Sequence, residues 1–280
     1  MALVAEQPVG VFDSGVGGLT VLHELLVSLP GEDYLYLGDT AHFPYGERTA
    51  SELQAFSIEI AEHLLAAGAK LLVIACNAAS SAALGALEEH VRRAGLEIDV
   101  IGVVAPATQL AVAGSRSGRI GLMATPATVA SGAYERAVYG ADPHVHLESV
   151  ACADLAPIIQ GGFPFDEHVV ETVRGYCVPL REAHVDTVIL GCTHYPLIAP
   201  MLQRSLGRGV TLVTSGAGVA RSVERALTSR DLLNPQADEG TYRFRCTADV
   251  ESFRELATRF LQMPLGEVVH VDLRTARAAA

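Results

Sequence analysis

Short runs of apolar residues alternate with longer amphipathic stretches along most of this chain. A short apolar run is typical of a buried strand, and apolar positions three to four residues apart are typical of a helix. The alternation predicts parallel β-sheets covered by helices on both faces. We expect strands at residues 9–12, 34–37, 71–75, 100–104, 120–123, 145–150, 187–190, 210–213, 242–246 and 268–271, with helices at 19–29, 51–67 and 78–94 among others.

Two kinds of segment occur once in each half of the chain. VGVFDSGVGGLTVL, from residue 9, and IGLMATPATVASGAY, from residue 120, both fit a strand, a turn of small residues and a helix. LLVIACNAAS, from residue 71, and TVILGCTHYP, from residue 187, both fit a strand, a cysteine and a polar turn. Parallel α/β sheets bind ligands at the carboxyl ends of their strands. Two facing halves would therefore bring Cys76 and Cys192 to one cleft from opposite sides.

Composition limits the kinds of partner. The 280 residues are half hydrophobic, enough for one large domain or two smaller ones, and the net charge of −12 disfavours binding to nucleic acid or to an anionic membrane. The first residues show no basic segment followed by a long apolar one, so we expect no signal peptide. The five cysteines are an odd number and lack the spacing of a small disulfide-rich domain, which favours free thiols in the cytoplasm. Cysteine often only packs in a core, which is our interpretation of Cys152, Cys177 and Cys246.

Cys76 and Cys192 are compatible with several chemistries. The cytoplasm would keep the two cysteines reduced, which disfavours a disulfide between them. Zinc sites usually show closer ligand clusters than Cys192 and His194 provide. A cysteine hydrolase using Cys192 and His194 leaves Cys76 without a role. Proton transfer employs both thiols, because a thiolate takes a proton from one face of a carbon while a thiol delivers one to the other face. Such a racemase needs neither a metal nor a cofactor.

Polar residues near the first strand end suit an amino-acid ligand. VFDSGVGGLTVL has Thr20 where a dinucleotide fingerprint has its last glycine, and Asp13 would repel a pyrophosphate. An aspartate there suits an ammonium group, while Ser14 and the turn amides could hold a carboxylate. Asp13 or His194 could also hydrogen-bond to a thiol and change its pKa. The alternative is that Asp13 only caps a tight turn.

Further candidates follow the neighbouring strands. In GDTAHFPYG, Tyr45 could direct its hydroxyl into the cleft, and Asp39 is either a support for a catalytic group or a turn residue. In ATPATVASG, Thr125 and Thr128 could bind carboxylate oxygens or cap the following helix. His42 has no partner that the sequence identifies, so it is interpreted as a surface or structural residue.

Five segments resemble glutamate racemases in sequence and in order, over residues 9–215: VFDSGVGGLTVL, YLGDTAHFPYG, VIACNAAS, ATPATVASGAY and GCTHYPL. The combination of GCTHYPL with DSGVGGLTV is specific to that family. The resemblance implies a cofactor-independent isomerase that interconverts L- and D-glutamate and supplies D-glutamate for bacterial peptidoglycan. It also implies a cytoplasmic enzyme, often a homodimer.

The resemblance further implies a fold and a site. We expect two similar three-layer α/β domains with mostly parallel sheets and the active site between them, the first from residues 1–103 and 213–280 and the second from 104–212. The implied catalytic residues are Cys76 and Cys192, assisted by His194 and Asp13. The implied substrate contacts are Asp13, Ser14, Tyr45, Gly46, Asn77, Ala78, Thr128, Thr193 and His194.

Two positions depart from the family pattern. Ala78 follows Cys76-Asn77 where the family commonly has threonine, and Gln160 stands where the family often has glutamate. Neither change removes a thiol, so racemisation of glutamate stays the main hypothesis. The alternatives are a related racemase acting on aspartate and a non-catalytic amino-acid-binding protein. A two-lobed enzyme is also expected to close on its ligand.

Overall fold

The computed structural model describes residues 2–162 and 166–273, which form two α/β lobes. Every predicted strand is present, with each end within two residues of the predicted one. The strands are β1 (Val9–Asp13), β2 (Tyr34–Gly38), β3 (Leu71–Ile74), β4 (Asp99–Gly102), β5 (Arg119–Ala124), β6 (His146–Ala151), β7 (Thr187–Gly191), β8 (Thr211–Val213), β9 (Tyr242–Cys246) and β10 (Val268–His270). The helices are α1 (Ala2–Ala5), α2 (Leu19–Ser28), α3 (Ala50–Ala66), α4 (Asn77–Arg93), α5 (Val104–Gly114), α6 (Pro126–Ala130), α7 (Ala133–Ala141), α8 (Leu155–Gln160), α9 (Glu167–Glu182), α10 (Ala199–Leu206), α11 (Gly216–Ser229) and α12 (Val250–Leu261).

Several helices begin where the sequence provides a capping side chain. Thr49 and Glu52 form a reciprocal capping box at the start of α3, which satisfies two backbone N–H groups that the helix leaves unpaired. Asp249 caps α12 by accepting a hydrogen bond from the backbone N–H of Ser252. Cys76 occupies the corresponding position before α4, but its side chain makes no such capping bond.

The sheet of the first lobe is parallel, with strand order β10-β9-β2-β1-β3-β4. Its central strands β1, β2 and β3 are buried along their whole length. Helices cover both faces, so both faces require apolar side chains, and the strand sequences are continuously hydrophobic for that reason.

The sheet of the second lobe is also parallel, with strand order β6-β5-β7-β8. Strands β1 to β4 have the equivalent order β2-β1-β3-β4 in the first lobe. The repeat visible in the sequence is therefore a repeat of topology, and the predicted architecture of two similar α/β units is confirmed. The exact domain boundaries stay a prediction.

The two lobes share an apolar core. Helix α11 packs against α2 of the first lobe and α5 of the second. One continuous cluster of buried side chains contains Val11 and Val73 from the first sheet and Val188 and Leu190 from the second. This packing holds the carboxyl ends of both sheets towards one cleft. Among the helices of the described residues, none has the length and apolar character needed to cross a membrane.

Candidate active site

The two cysteines lie at equivalent positions of the two lobes. Cys76 lies just beyond β3, immediately before α4, and Cys192 directly follows β7. Both are buried, with 5% and 7% of their surface exposed. They line one small cavity between the lobes, as the repeat predicted.

That cavity brings together most of the residues proposed from the sequence. Its volume is about 30 Å³. Besides the two cysteines, the predicted residues on its wall are Ser14, Tyr45, Gly46, Asn77, Ala78, Thr193 and His194. Asp13 and Thr128 do not contribute to the wall, and both are buried next to residues that do.

Asp13 contacts both sides of the cleft from its buried position. One carboxylate oxygen accepts a hydrogen bond from the backbone N–H of Gly15 at 3.1 Å, and the other lies 3.4 Å from the hydroxyl of Thr193 in the opposite lobe. Burial raises the pKa of Asp13, while backbone N–H groups and the Cys76 thiol partly offset this effect by hydrogen bonding. Asp13 is therefore a buried carboxyl group that lies near both thiols, in addition to its role in the turn.

The glycines after Asp13 allow the lobes to approach closely. A Cβ atom on Gly17 would collide with Thr193 Oγ1 and would lie 2.6 Å from the ring of His194. A Cβ atom on Gly18 would lie 2.5 Å from the Cβ of Asp13. The absence of a side chain at Gly17 thus allows the backbone of the turn to lie close to the opposite lobe.

Cys192, His194 and Gln160 form a chain of polar contacts. The sulfur of Cys192 lies 3.9 Å from Nδ1 of His194, and Nε2 of the same ring lies 2.9 Å from Oε1 of Gln160. When Gln160 accepts from Nε2–H, Nδ1 carries no proton and can accept a hydrogen bond from the Cys192 thiol. Burial lowers the pKa of His194 to about 4, so the ring is neutral at neutral pH.

Both thiols are held in the protonated form when no ligand is present. Burial raises the pKa of Cys192 to about 12, against backbone N–H groups of His194 and Tyr195 that lower it, and the charge of Asp13 raises it further. The pKa of Cys76 is also strongly raised, first by burial and then by Asp13. A cationic group beside Asp13 would reverse the electrostatic part of this effect.

The loop after β2 forms a buried network behind the cavity. The hydroxyl of Tyr45 donates to Asp39 at 2.5 Å, and Thr247 donates to the same carboxylate at 2.7 Å. His42 does have a partner, since its Nδ1 lies 2.8 Å from Asp39. Asp39 therefore orients the side chains around the cavity, including the Tyr45 ring on its wall.

Residues beside Cys76 and after β5 complete the polar part of the cavity. Asn77 accepts a 2.6 Å hydrogen bond from Tyr134, and Ala78 beside it offers only a methyl group and its backbone. Thr125 and Thr128 bond to one another through their hydroxyls at 3.0 Å, and Thr125 is the one on the cavity wall.

Within residues 2–162 and 166–273, no three His, Cys, Asp or Glu side chains are grouped so that they could hold a metal ion.

Comparison with known sequences identifies the family. The profile of the Asp/Glu/Hydantoin racemase family matches residues 19–223, which is most of the chain. The chain belongs to this family of racemases. Its enzyme class is therefore isomerase, consistent with two proton-carrying groups on opposite walls of one cavity.

Three relatives show how far the similarity extends. The racemase is 44% identical over 258 residues to a glutamate racemase of Saccharopolyspora erythraea, covering 92% of this chain and 93% of the relative. A glutamate racemase structure from Bacillus anthracis has a TM-score of 0.90 at 37% identity, covering 95% of this chain and 98% of that one. A glutamate racemase from Francisella tularensis in complex with D-glutamate has a TM-score of 0.86 at 30% identity, covering 97% and 99%.

Sequence reasoning missed the aromatic residues around the racemase's histidine. The ring of Phe43 lies 5.7 Å from that of His194, and Phe260 meets the same ring edge-on at 5.1 Å. These rings contribute to the burial that lowers the pKa of the imidazole. Phe43 lies in GDTAHFPYG, the loop from which Tyr45 was predicted to face the cleft. Nothing in the sequence places Phe260 of α12 beside His194.

Replacing Gln160 by glutamate is expected to raise the pKa of His194 by about 1 to 3 pH units, because a carboxylate next to an imidazole favours the charged ring. The native ring, with its pKa near 4, is expected to stay neutral through the range above pH 5. Histidine NMR titration measures this directly, and the pH profile of turnover reports whether the charge affects catalysis.

The matched control is Gln160→Met, which removes the hydrogen bond without adding charge. It is expected to leave the pKa of His194 low. Identical His194 titrations in native protein and Gln160→Glu would show that the side chain at position 160, 2.9 Å from Nε2 in the native protein, does not set the pKa of the ring.

Proposed function

We propose that this protein is a cofactor-independent glutamate racemase in which Cys76 and Cys192 act as the two acid/base groups. The observation that carries the proposal is the placement of two buried thiols around one cavity, each just beyond the end of a central strand in its own lobe. The glutamate racemases among its relatives, one of them solved with D-glutamate, support glutamate as the substrate.

The proton balance needs only these two sulfurs. A thiolate on one side removes the α-proton, so that its S–H bond forms as the C–H bond breaks and the electron pair stays on the α-carbon. The opposite thiol then donates its proton to the other face, and the negative charge ends on that second sulfur. The reverse reaction uses the same groups in exchanged roles.

The positive charge of the bound substrate favours ionisation of the thiols. The pKa values of both cysteines are raised in part by Asp13. An ammonium group bound near Asp13 would offset that charge and so favour formation of a thiolate. The turn amides after Asp13, with Ser14 and Thr193, are the proposed carboxylate contacts. His194 orients Cys192, because Nδ1 of its neutral ring can accept a hydrogen bond from the thiol at 3.9 Å.

The lobes must separate before glutamate can bind. A cavity of about 30 Å³ has room for roughly two or three water molecules, far less than an amino acid with a carboxylated side chain requires. We therefore assign the described arrangement to a closed form, and domain opening to substrate binding and product release.

The remaining features of the proposal concern the cell. The bacterial relatives support a role in supplying D-glutamate for peptidoglycan, and hence in cell-wall formation and cell shape. With that role we also propose a cytoplasmic location. A homodimer is proposed for the assembly, and neither nucleic acid nor a membrane is proposed as a partner.

The test is to incubate dialysed protein with D-glutamate in D2O, with a chelator and without pyridoxal phosphate. We expect optical activity and the α-proton NMR signal to decay together. Restoration only by added metal would contradict the two-thiol mechanism. Exchange of the α-proton with retention of optical activity would mean that only one thiol works. Turnover of aspartate in preference to glutamate would reassign the substrate.

A further inference from the structure

A second cavity lies on the other side of Cys192 from the proposed substrate cavity. Its volume is about 110 Å³, and we call it the rear chamber. Asn77, Cys192 and Thr193 line both cavities and so form the wall between them. Cys76 borders the substrate cavity but is absent from the lining of the rear chamber. The two thiols therefore differ in what lies behind them.

Two residues that line the chamber each carry a buried polar atom with no hydrogen-bond partner among the described residues. These are the amide nitrogen Nδ2 of Asn77 and the hydroxyl of Ser215, whose residues are 3% and 5% exposed. The Ser215 hydroxyl is close enough to Tyr134 to lower its pKa, but no bond of acceptable geometry joins them. A buried polar group without a partner is costly, so each group calls for a ligand.

Water is the ligand that fits this chamber. The volume exceeds what a single water requires several times over, and Thr20, Glu24 and Thr193 add polar groups to those of Asn77 and Ser215. The chamber also reaches the surface, because Gln262 on its rim is exposed. A chain of waters can therefore connect bulk solvent with the wall that carries Cys192.

We propose that the rear chamber is a solvent channel that exchanges the proton of Cys192 during turnover, while Cys76 is sealed from solvent by the bound substrate. The inference rests on the proposed function. In D2O, the protonated sulfur of Cys192 gives its proton to chamber water and receives a deuteron from it, so no net charge moves. Cys76 returns the proton it removed, because the cavity it borders is occupied by substrate and it does not line the rear chamber.

The test compares the two enantiomers of α-protonated glutamate in D2O at early times. For each, mass spectrometry measures deuterium in the unreacted enantiomer, and this is divided by the amount of inverted product. The ratio is expected to be severalfold higher for the enantiomer that Cys192 deprotonates. Equal ratios for the two enantiomers, whether high or low, would overturn the channel.

Two variants of nearly equal shape connect the asymmetry to the chamber. Ser215→Val removes the hydroxyl that would hold water, and Ser215→Thr keeps one. Ser215→Val is expected to racemise at close to the native rate with the difference between enantiomers reduced, and Ser215→Thr to retain it. An undiminished difference in Ser215→Val would overturn the chamber as the route.

The outcomes distinguish failure of the channel from failure of the proposed function. Absence of racemisation in the native protein contradicts the proposed function. Racemisation with symmetric exchange contradicts only the channel and leaves the two-thiol mechanism standing.

Discussion

Alanine at either Cys76 or Cys192 is expected to lower the rate of racemisation by about 10²- to 10⁴-fold, the range typical of a lost general acid or base. In the proposed mechanism each thiol serves one face of the α-carbon, so neither can replace the other. The residual chemistry should differ between the variants. The remaining cysteine can still remove and return a proton on its own face. Cys76→Ala, which keeps Cys192 and its solvent channel, should exchange the α-proton of one enantiomer in D2O, whereas Cys192→Ala should exchange that of the other enantiomer several times more slowly.

The chain supplies its own controls for this experiment. Cys177 of α9 and Cys246 of β9 are also free and buried, but neither lines the substrate cavity. Cys177→Ala and Cys246→Ala therefore remove the same atoms from the core and should retain turnover. Circular dichroism and thermal unfolding of all four variants establish that the fold persists. Native turnover in Cys76→Ala or in Cys192→Ala would refute the two-thiol mechanism.

The strands and the position of the site were accessible from sequence because their signals are local. An apolar run such as LLVIAC, ending in a cysteine, predicts both a buried strand and the edge at which the cysteine lies. The repeat then predicts that a second such edge faces the first. Periodicity and the geometry of parallel sheets place each cysteine at a strand end, and the packing of the lobes brings the two ends to one cavity.

The contacts that set the chemistry were not accessible in this way. Thr193 meets Asp13 across 180 positions of sequence, and Phe260 of α12 packs against His194. Both contacts depend on how the lobes pack, which local patterns do not encode. Gln160 was recognised as unusual at its position, but its 2.9 Å contact with His194 depends on where α8 ends. The same packing creates the rear chamber.

A buried ion pair at the opposite edge of the first sheet is the other feature that the sequence did not reveal. Lys70 precedes β3 and Glu32 precedes β2, with Nζ and Oε2 2.6 Å apart and both side chains almost fully buried. Nζ also donates to the carbonyl groups of Leu232, at 2.9 Å, and Ala5. The other oxygen of Glu32 accepts from the backbone N–H of Asn234 at 2.7 Å. The pair thus fastens α1 and the segment after α11 to the sheet.

Lys70→Met is expected to lower the free energy of unfolding by about 3–5 kcal/mol, because it leaves the charge of Glu32 buried without its partner. Urea or thermal unfolding measures the loss. Adding Glu32→Gln should restore much of the stability, since the amide is neutral and can still accept from Asn234. Arg92→Met is the exposed control, because Arg92 pairs with Glu89 at the surface and the protein should unfold close to its native temperature.

Turnover tells a stability effect from a catalytic one in these variants. The ion pair lies at the amino ends of the strands and the thiols at their carboxyl ends, so Lys70→Met should racemise at close to the native rate at temperatures where it remains folded. A rate loss there without unfolding would mean that the pair influences the cleft. Equal stability of Lys70→Met and native protein would mean that Glu32 finds another partner or takes up a proton. In that case the pair does not hold the edge of the sheet together.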